Sequence, residues 1–390
     1  MRKQIVGIVM IALLMMLCSG CAGKEESAFS GMADKKGETI RIGYFGPLSG
    51  RTEKAGRAAL NGAKLAAEEV NQEGGINGSA VEIVAYDDMS NTSEAVKAAK
   101  ALVEEDHVNA IYGSLHSGNM KAAGAYINEQ KVLCVSGATS TSWPADDWEW
   151  LFRCTANEQV SVEKLAEYAA SLGLVRIATL TSHDNYGSNA AEELEKVSKR
   201  FGLEITEETT MENGDRNFRE QFEKIKKANP DAVFLWCVGD DLESVTRQMR
   251  QYGIVCPILG CEGYSLPELA NVGNNGLNGV IFAAQFVVYD NPADAQENNM
   301  KEFLQKYIQT YGEAPKSDNA FRAYDGVKLI IEAMKKSGCT EGEGLRRAFR
   351  EIDGYVGLAG IFSYKKMDHG EGIRSVRLFE IQNGTCREVW

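Results

Sequence analysis

The sequence predicts an α/β protein of two similar lobes, each built on a parallel sheet, and three observations predict it. Strand and helix patterns alternate from Thr39 onward, with short connections. The alternation restarts near Trp150, after four strand–helix units. What is left of the 390 residues after the N-terminal segment fits two lobes of roughly 150 residues each.

In the first lobe Ile40–Phe45 is a strand, followed by the turn Gly46-Pro47-Leu48-Ser49-Gly50. A helix over Gly56–Gln72 carries Ala58, Ala59, Ala63, Ala66, Ala67 and Val70 on one face. It ends through the glycines of Asn71–Gly78. Strand Val81–Tyr86 closes on Asp87-Asp88, and helix Thr92–Glu105 follows.

Two stretches then share one form. Val108–Tyr112 is an apolar run of strand length, broken by Gly113, with Ser114 and Ser117 at the start of a helix that runs from about Asn119 to Glu129. Leu133-Cys134-Val135 leads to Ser136-Gly137-Ala138-Thr139-Ser140. A strand end that faces a helix N-terminus points free N–H groups into a crevice and holds an anion without a charged side chain. The pair of them places Ser117 and Thr139 on the carboxylate of a small ligand. Taken singly, each residue reads better as a helix cap, and it is their pairing with Gly-rich strand ends that favours the site.

The second run begins at Trp150–Cys154. It continues with helix Val160–Leu172, strand Val175–Leu180, the loop through Tyr186-Gly187 and helix Ser188–Phe201. Strand Glu204–Glu208, helix Phe218–Ala228, strand Ala232–Val238, helix Leu242–Tyr252 and strand Ile258–Leu259 complete a second lobe. Strand Gly279–Phe286 leaves it. Helices Asn298–Tyr311, Ser317–Ser337 and Glu343–Ile352 return to the first lobe. Phe362–Tyr364, Val376–Gln382 and Thr385–Val389 close the chain, the last two joined by Asn383-Gly384, a strong hairpin signal. Open α/β sheets bind ligands at the carboxyl ends of their strands, so the loops of both lobes face a shared cleft.

The N-terminus reads as a signal peptide over residues 1–20: Arg2 and Lys3 precede an uncharged run, Ile5–Leu17, shorter than the roughly 20 residues a span needs. Small residues before Cys21 mark it for lipidation, although Cys18 stands where most such signals carry Leu. Residues 21–38 read as a flexible tether. The net charge of −13 argues against nucleic acid, whose backbone needs a basic footprint. Of the nine cysteines, Cys134 and Cys237 lie in apolar strand patterns, Cys256 and Cys261 flank another, and none of these four sits in a C-x-x-C pair, which favours buried free thiols for most. His107, His183 and His369 lack metal-ligand spacing, and His116 beside Ser117 has no orienting acid for nucleophilic catalysis, so neither a cofactor nor an enzyme is expected. There is no phosphate-binding loop or dinucleotide fingerprint.

Several segments resemble the leucine/isoleucine/valine-binding proteins of bacterial ABC transporters, the branched-chain amino acid group of type I periplasmic binding proteins. They are Ile42–Gly50, Asn71–Gly78, Tyr86-Asp87-Asp88, Gly137-Ala138-Thr139, Asp184-Asn185-Tyr186-Gly187, Gly260-Cys261-Glu262-Gly263 and Ala323-Tyr324-Asp325-Gly326, and the likeness covers nearly all of Ile40–Ile352. The resemblance implies two Rossmann-like lobes joined by a multi-strand hinge. It divides the chain into 39–156 plus 286–353 for the first lobe and 157–285 plus 354–390 for the second. It implies that Ser117 and Thr139, with backbone help at Gly137, bind a ligand carboxylate. Tyr186 covers the ligand, Glu262 takes its ammonium and Glu158 lies near that ammonium.

Two departures bear on the ligand. The family's first-loop aromatic is Ala55 here, with Trp236 able to refill the space from the other lobe, and a familiar Cys pair is replaced by Ser90 and His116. The expected function is a lipid-anchored, extracytoplasmic solute-binding protein that hands an amino acid to ABC permease subunits. The alternatives are a sensor of the same fold, or an amide, urea or aromatic-acid ligand.

Overall fold

The computed structural model describes residues 37–144, 147–270, 277–365 and 370–390. The expected signal segment, Cys21, nearly all of the tether and His369 lie outside them.

The first sheet is built from β1 (Ile40–Gly46), β2 (Val81–Asp87), β3 (Ala110–Gly113), β4 (Cys134–Ser136) and β5 (Leu151–Arg153). Its order is β2-β1-β3-β4-β5, with every pair parallel. Helices α1 (Glu53–Gln72), α2 (Thr92–Glu104) and α3 (Ser117–Glu129) connect β1 to β4. Parallel neighbours need such crossovers, and both sheet faces are covered as a result. Asn91 starts α2 by accepting the N–H groups of Ser93 and Glu94.

The second half contains α4 (Glu158–Ser171), β6 (Arg176–Ser182), α5 (Asn185–Phe201), β7 (Glu204–Met211), α6 (Arg219–Ala228), β8 (Ala232–Trp236), α7 (Gly239–Gln251), β9 (Ile258–Gly260) and β10 (Val280–Ala284). These strands pair in parallel, and β13 (Arg377–Gln382) and β14 (Thr385–Glu388) extend the sheet antiparallel, in the order β14-β13-β10-β9-β8-β6-β7. The β13–β14 hairpin turns on Asn383 and Gly384, both at positive φ (50° and 81°), as Asn-Gly permits.

Between β10 and β13 the chain returns to the first lobe as α8 (Asn298–Tyr311), α9 (Asn319–Ser337), α10 (Gly342–Arg350) and the hairpin β11 (Asp353–Val356)–β12 (Ile361–Ser363). The alanine face of α1 packs on α9: Ala58, Ala59, Ala63, Ala66, Ala67 and Val70 share one core with Ala320, Phe321, Val327 and Ile330. Gly62 makes that approach possible, since a Cβ there would lie 2.0 Å from the Ala320 carbonyl oxygen.

Strand β10 belongs to the second sheet rather than leaving it, and the crossing follows at once, because Phe286 and Val288 lie in the first core. Phe362, Tyr364 and Ile373 also lie in the first core. The return to the second sheet therefore comes after them, later than the boundary at 353/354. The crossing segments are bonded to one another: Thr155 Oγ1 donates to Gln285 Oε1 at 2.7 Å, Asn157 Nδ2 donates to Glu371 Oε1, and Arg374 pairs with Glu371 at 3.1 Å. No described helix is long and apolar enough to cross a membrane. The seven described cysteines are free, with Cys134, Cys154, Cys237 and Cys261 buried.

Candidate functional site

A cavity of about 560 Å³ lies where the carboxyl ends of the two sheets face each other. Its first-lobe wall comes from the loops after β1, β2, β3 and β4 and from the start of α9; its second-lobe wall comes from the loops after β6, β7, β8 and β9. Of the ligand contacts expected from sequence, Ser117, Thr139, Tyr186 and Glu262 line it, and so do Ala55, Ser90 and His116, three positions where the chain departs from the family pattern.

Ser117 stands in the first turn of α3, two residues earlier in the helix than the pattern placed the start. The first α3 N–H bonded within the helix is that of Met120, to His116 at 3.0 Å, so the preceding N–H groups open toward the cleft. Ser117 Oγ accepts the Ser140 N–H at 3.2 Å, which leaves its own proton to donate. Thr139 Oγ1 donates to Glu158 Oε1 at 3.3 Å. From the other lobe, Tyr186 is held at the start of α5 by Asp184, which caps that helix through the N–H groups of Tyr186 and Gly187. Its hydroxyl donates to Glu262 Oε2 at 3.1 Å.

Three residues are corrections to the expected ligand contacts. Glu158 is fully buried behind Thr139; burial first, then the charge of Glu262, push its carboxyl well above the usual range, which favours the protonated form. Trp236 does not refill the space beside Ala55. It is fully buried, stacked on Phe234 at 5.1 Å and tilted against Tyr186 at 5.9 Å. Gly137 gives its carbonyl to Arg322 Nη1 at 2.9 Å, and a Cβ on it would come within 2.9 Å of the Tyr112 hydroxyl and 3.2 Å of the Arg322 side chain. The glycine is there to admit the arginine.

Arg322 is the site residue that sequence reasoning missed. It projects from α9, 5 % exposed, onto Asp318 one turn earlier and onto Glu262 of the opposite lobe at 3.4 Å. The two carboxylates raise its already high pKa despite burial, which by itself lowers it. Burial raises the Glu262 pKa and Arg322 pulls it back. One cation between two carboxylates leaves a net charge of −1 when all three are ionised. A signal was present: an arginine inside the apolar stripe Ala320–Val327 has to be buried, and a buried cation requires partners.

A second bridge crosses the cleft. Arg51, after β1, meets Asp241 of α7 at 2.8 Å, and the buried carboxylate also receives Arg216 at 3.3 Å and the Gly214 N–H at 3.0 Å. Ser90 and His116 form a hydroxyl–imidazole network through Thr52, whose Oγ1 lies 2.7 Å from Ser90 Oγ and 2.8 Å from His116 Nε2. Burial lowers the His116 pKa, so the ring is neutral there. Among the described residues no cluster has the make-up of a metal site.

The profile of the family described as "Periplasmic binding protein" matches residues 39–385. The chain belongs to that family. It is 24 % identical over 315 residues to a leucine-, isoleucine-, valine-, threonine- and alanine-binding protein of Pseudomonas aeruginosa, covering 80 % of this chain and 82 % of that one. It is 26 % identical over 267 residues to a Leu/Ile/Val-binding protein of Escherichia coli, covering 68 % and 71 %. Among solved structures, a branched-chain amino acid transporter substrate-binding protein of Streptococcus pneumoniae in complex with isoleucine superposes with a TM-score of 0.79 at 25 % identity, over 90 % of this chain and 99 % of that one. A solute-binding protein of an ABC transporter from Rhodopseudomonas palustris, in complex with 3,4-dihydroxybenzoic acid, has the same fold, with a TM-score of 0.79 at 23 % identity over 90 % and 96 %. These relatives are solute-binding proteins, not enzymes, and the periplasmic binding family places its members outside the cytoplasm.

Proposed function

We propose that this protein is the lipid-anchored solute-binding component of an ABC importer and captures a free amino acid between its lobes. The observation that carries the reading is the opposition of charge across the cleft. One wall offers the α3 N-terminus with the Ser117 hydroxyl, joined by the Thr139 hydroxyl once it turns from Glu158 to the ligand. The other offers Glu262 and the Tyr186 hydroxyl. A carboxylate is held on the first by neutral donors, and an ammonium on the second by Glu262, which with Arg322 and Asp318 of the first lobe forms a group of net charge −1 when all three are ionised. A zwitterion touching both walls favours the closed lobes, because only that form makes both sets of contacts. Closed, the two lobes present a single surface to permease subunits, with Cys21 holding the chain to the membrane. The names of the relatives point to a branched-chain or related amino acid.

Calorimetric titration of residues 24–390 with leucine, isoleucine and valine tests the reading. Binding that weakens in both Ser117→Ala and Glu262→Gln supports it; binding indifferent to both substitutions overturns it.

One observation favours a second reading. Glu262 already has a cation, Arg322, and a hydroxyl donor, so an acid lacking an ammonium finds no unpaired carboxylate opposite it. Benzoate binding in the absence of amino acid binding selects that reading.

A further inference from the structure

Thr139 lines the cavity, and the two residues after it turn away from the ligand space onto α5 of the other lobe. Asn189 of α5 receives them. Its Oδ1 accepts the Ser140 hydroxyl at 2.8 Å and the Thr141 N–H at 2.7 Å, and its Nδ2 donates to Thr141 Oγ1 at 2.8 Å. The Thr141 hydroxyl donates in turn to Glu193 Oε1, one turn further along α5, at 3.0 Å. Ser140, Asn189 and Glu193 are buried, and none of the four residues lines the cavity. Beside them the starts of α3 and α5 also meet, since a Cβ on Gly118 would lie 3.5 Å from Asn185 Nδ2.

The cluster joins the ligand site from both lobes. The Ser140 N–H donates to Ser117 Oγ at 3.2 Å, so the loop is fixed by a hydroxyl of the carboxylate wall. Asn189 lies three residues after Tyr186, on the same side of α5. Each half is anchored in its own core: Ala138 and Trp143 pack with Ile111 and Cys134 of the first lobe, and Ala190 and Leu194 pack in the second. Opening the lobes therefore breaks the bonds to Asn189 and leaves both halves folded. Water then takes over the freed groups, so each bond adds a modest net preference for the closed form.

We propose that Asn189 is a positioning residue for ligand capture, which latches the closed lobes without touching the ligand. The proposal rests on the reading that the lobes close around a ligand, and it goes beyond the ligand's identity. A latch changes the fraction of closed protein, so it raises the affinity for every ligand by one factor. Its bonds to Asn189 are neutral, so that factor does not depend on salt, unlike the contribution of the Arg51–Asp241 bridge.

The test is calorimetric and stopped-flow titration of residues 24–390 with L-leucine and with benzoate, in the native chain, Asn189→Ala, Thr141→Val and the double variant. Asn189→Ala weakens whichever probe binds by about tenfold, through faster dissociation at an unchanged association rate. Thr141→Val keeps its backbone N–H and weakens binding less, and the double variant loses less than the two losses combined. Melting temperatures of the unliganded variants match the native chain. Thr141→Val, on the other lobe, carries the test if Asn189→Ala fails to fold. Unchanged affinity in both variants overturns the proposal. A loss for one probe but not the other makes Asn189 a ligand contact and overturns it, as does a lower melting temperature with affinity intact. If neither probe binds the native chain, the amino-acid and acid readings fail, and small-angle scattering of the unliganded chains decides the latch. A larger radius of gyration in Asn189→Ala than in the native chain supports it, and equal radii overturn it.

Discussion

Arg322 of α9 and Glu262 of the loop after β9 meet across the cleft at 3.4 Å, each drawn from a different lobe. Arg322 also holds Asp318 on its own helix and the Gly137 carbonyl at the end of β4. One guanidinium thus ties together the helix that returns late in the chain, the loop that shapes the first-lobe wall, and the acid of the second lobe.

Removing that cation strands buried carboxylates. Arg322→Met is expected to destabilise the folded protein by about 3 kcal/mol or more, the usual cost of breaking a buried pair by deleting one partner. Arg322→Lys recovers only part of this, because an ammonium cannot span two carboxylates and a carbonyl in one plane. Urea unfolding midpoints of the two variants against the native chain check both statements.

The Arg51–Asp241 bridge acts on closure more than on folding. Asp241 keeps Arg216 and the Gly214 N–H when Arg51 is removed, so Arg51→Ala leaves the melting temperature nearly unchanged. The closed form loses one partly exposed ion pair, worth about 0.5–1 kcal/mol, so ligand affinity falls roughly two- to fivefold. Raising the salt concentration weakens ligand binding to the native chain more than to Arg51→Ala. A salt series of dissociation constants for both proteins gives the answer.

Asp325 adds a pH dependence to stability. It is buried, and burial raises its pKa from 3.8 to about 7, even though its oxygens accept the N–H groups of Leu358 and Ala359 at 2.9 Å each. A raised folded-state pKa favours the protonated form. Its stabilising contribution is full below about 3.8 and is lost as the pH rises through about 7. The stability difference between the native chain and Asp325→Asn should therefore shrink over that range, by on the order of 2–4 kcal/mol. Chemical denaturation at pH 4, 5.5 and 7 measures it; a difference that grows with pH contradicts the assignment.

Glu158 offers a separate test of protonation. A carboxyl that is neutral when buried is close in shape and charge to a primary amide. Glu158→Gln is expected to keep stability within about 1 kcal/mol of the native chain, and Glu158→Ala to cost more by opening a cavity beside Thr139 and Arg153. Thermal unfolding of the two variants distinguishes them.

The alternation of strands and helices was legible because each period is local. The alanine face of α1, the Asn-Gly turn and the small-residue ends of β3 and β4 all announce themselves within a few residues. The same locality marked Ser117 and Thr139 at strand ends and helix starts, whereas Tyr186 and Glu262 were marked by the resemblance and not by the local pattern. Arg322 was not legible in that way: its partners lie 60 and 185 positions away at Glu262 and Gly137, and only the fold brings them together. Asp241 was hidden for the same reason, since Arg51 precedes it by 190 positions. Trp236 was misplaced because a strand-end residue can point into the cleft or beneath it, and the period of two along the strand does not say which; Glu158 opens α4, where a first-turn side chain can face the cleft or the core. Strand β11 was unread because Asp353-Gly354-Tyr355-Val356 is too short and too polar at its start to carry a strand pattern.

The most direct measurement compares an amino acid with its deaminated twin. L-leucine and 4-methylpentanoate share the carboxylate and the branched chain and differ at the ammonium. Capture by both lobes predicts that leucine binds residues 24–390 at least about 30-fold more tightly, the equivalent of about 2 kcal/mol or more for a desolvated charge contact. It predicts that the gap closes in Glu262→Gln. Equal affinity for the two molecules contradicts the zwitterion account and leaves an acid-binding cleft in its place.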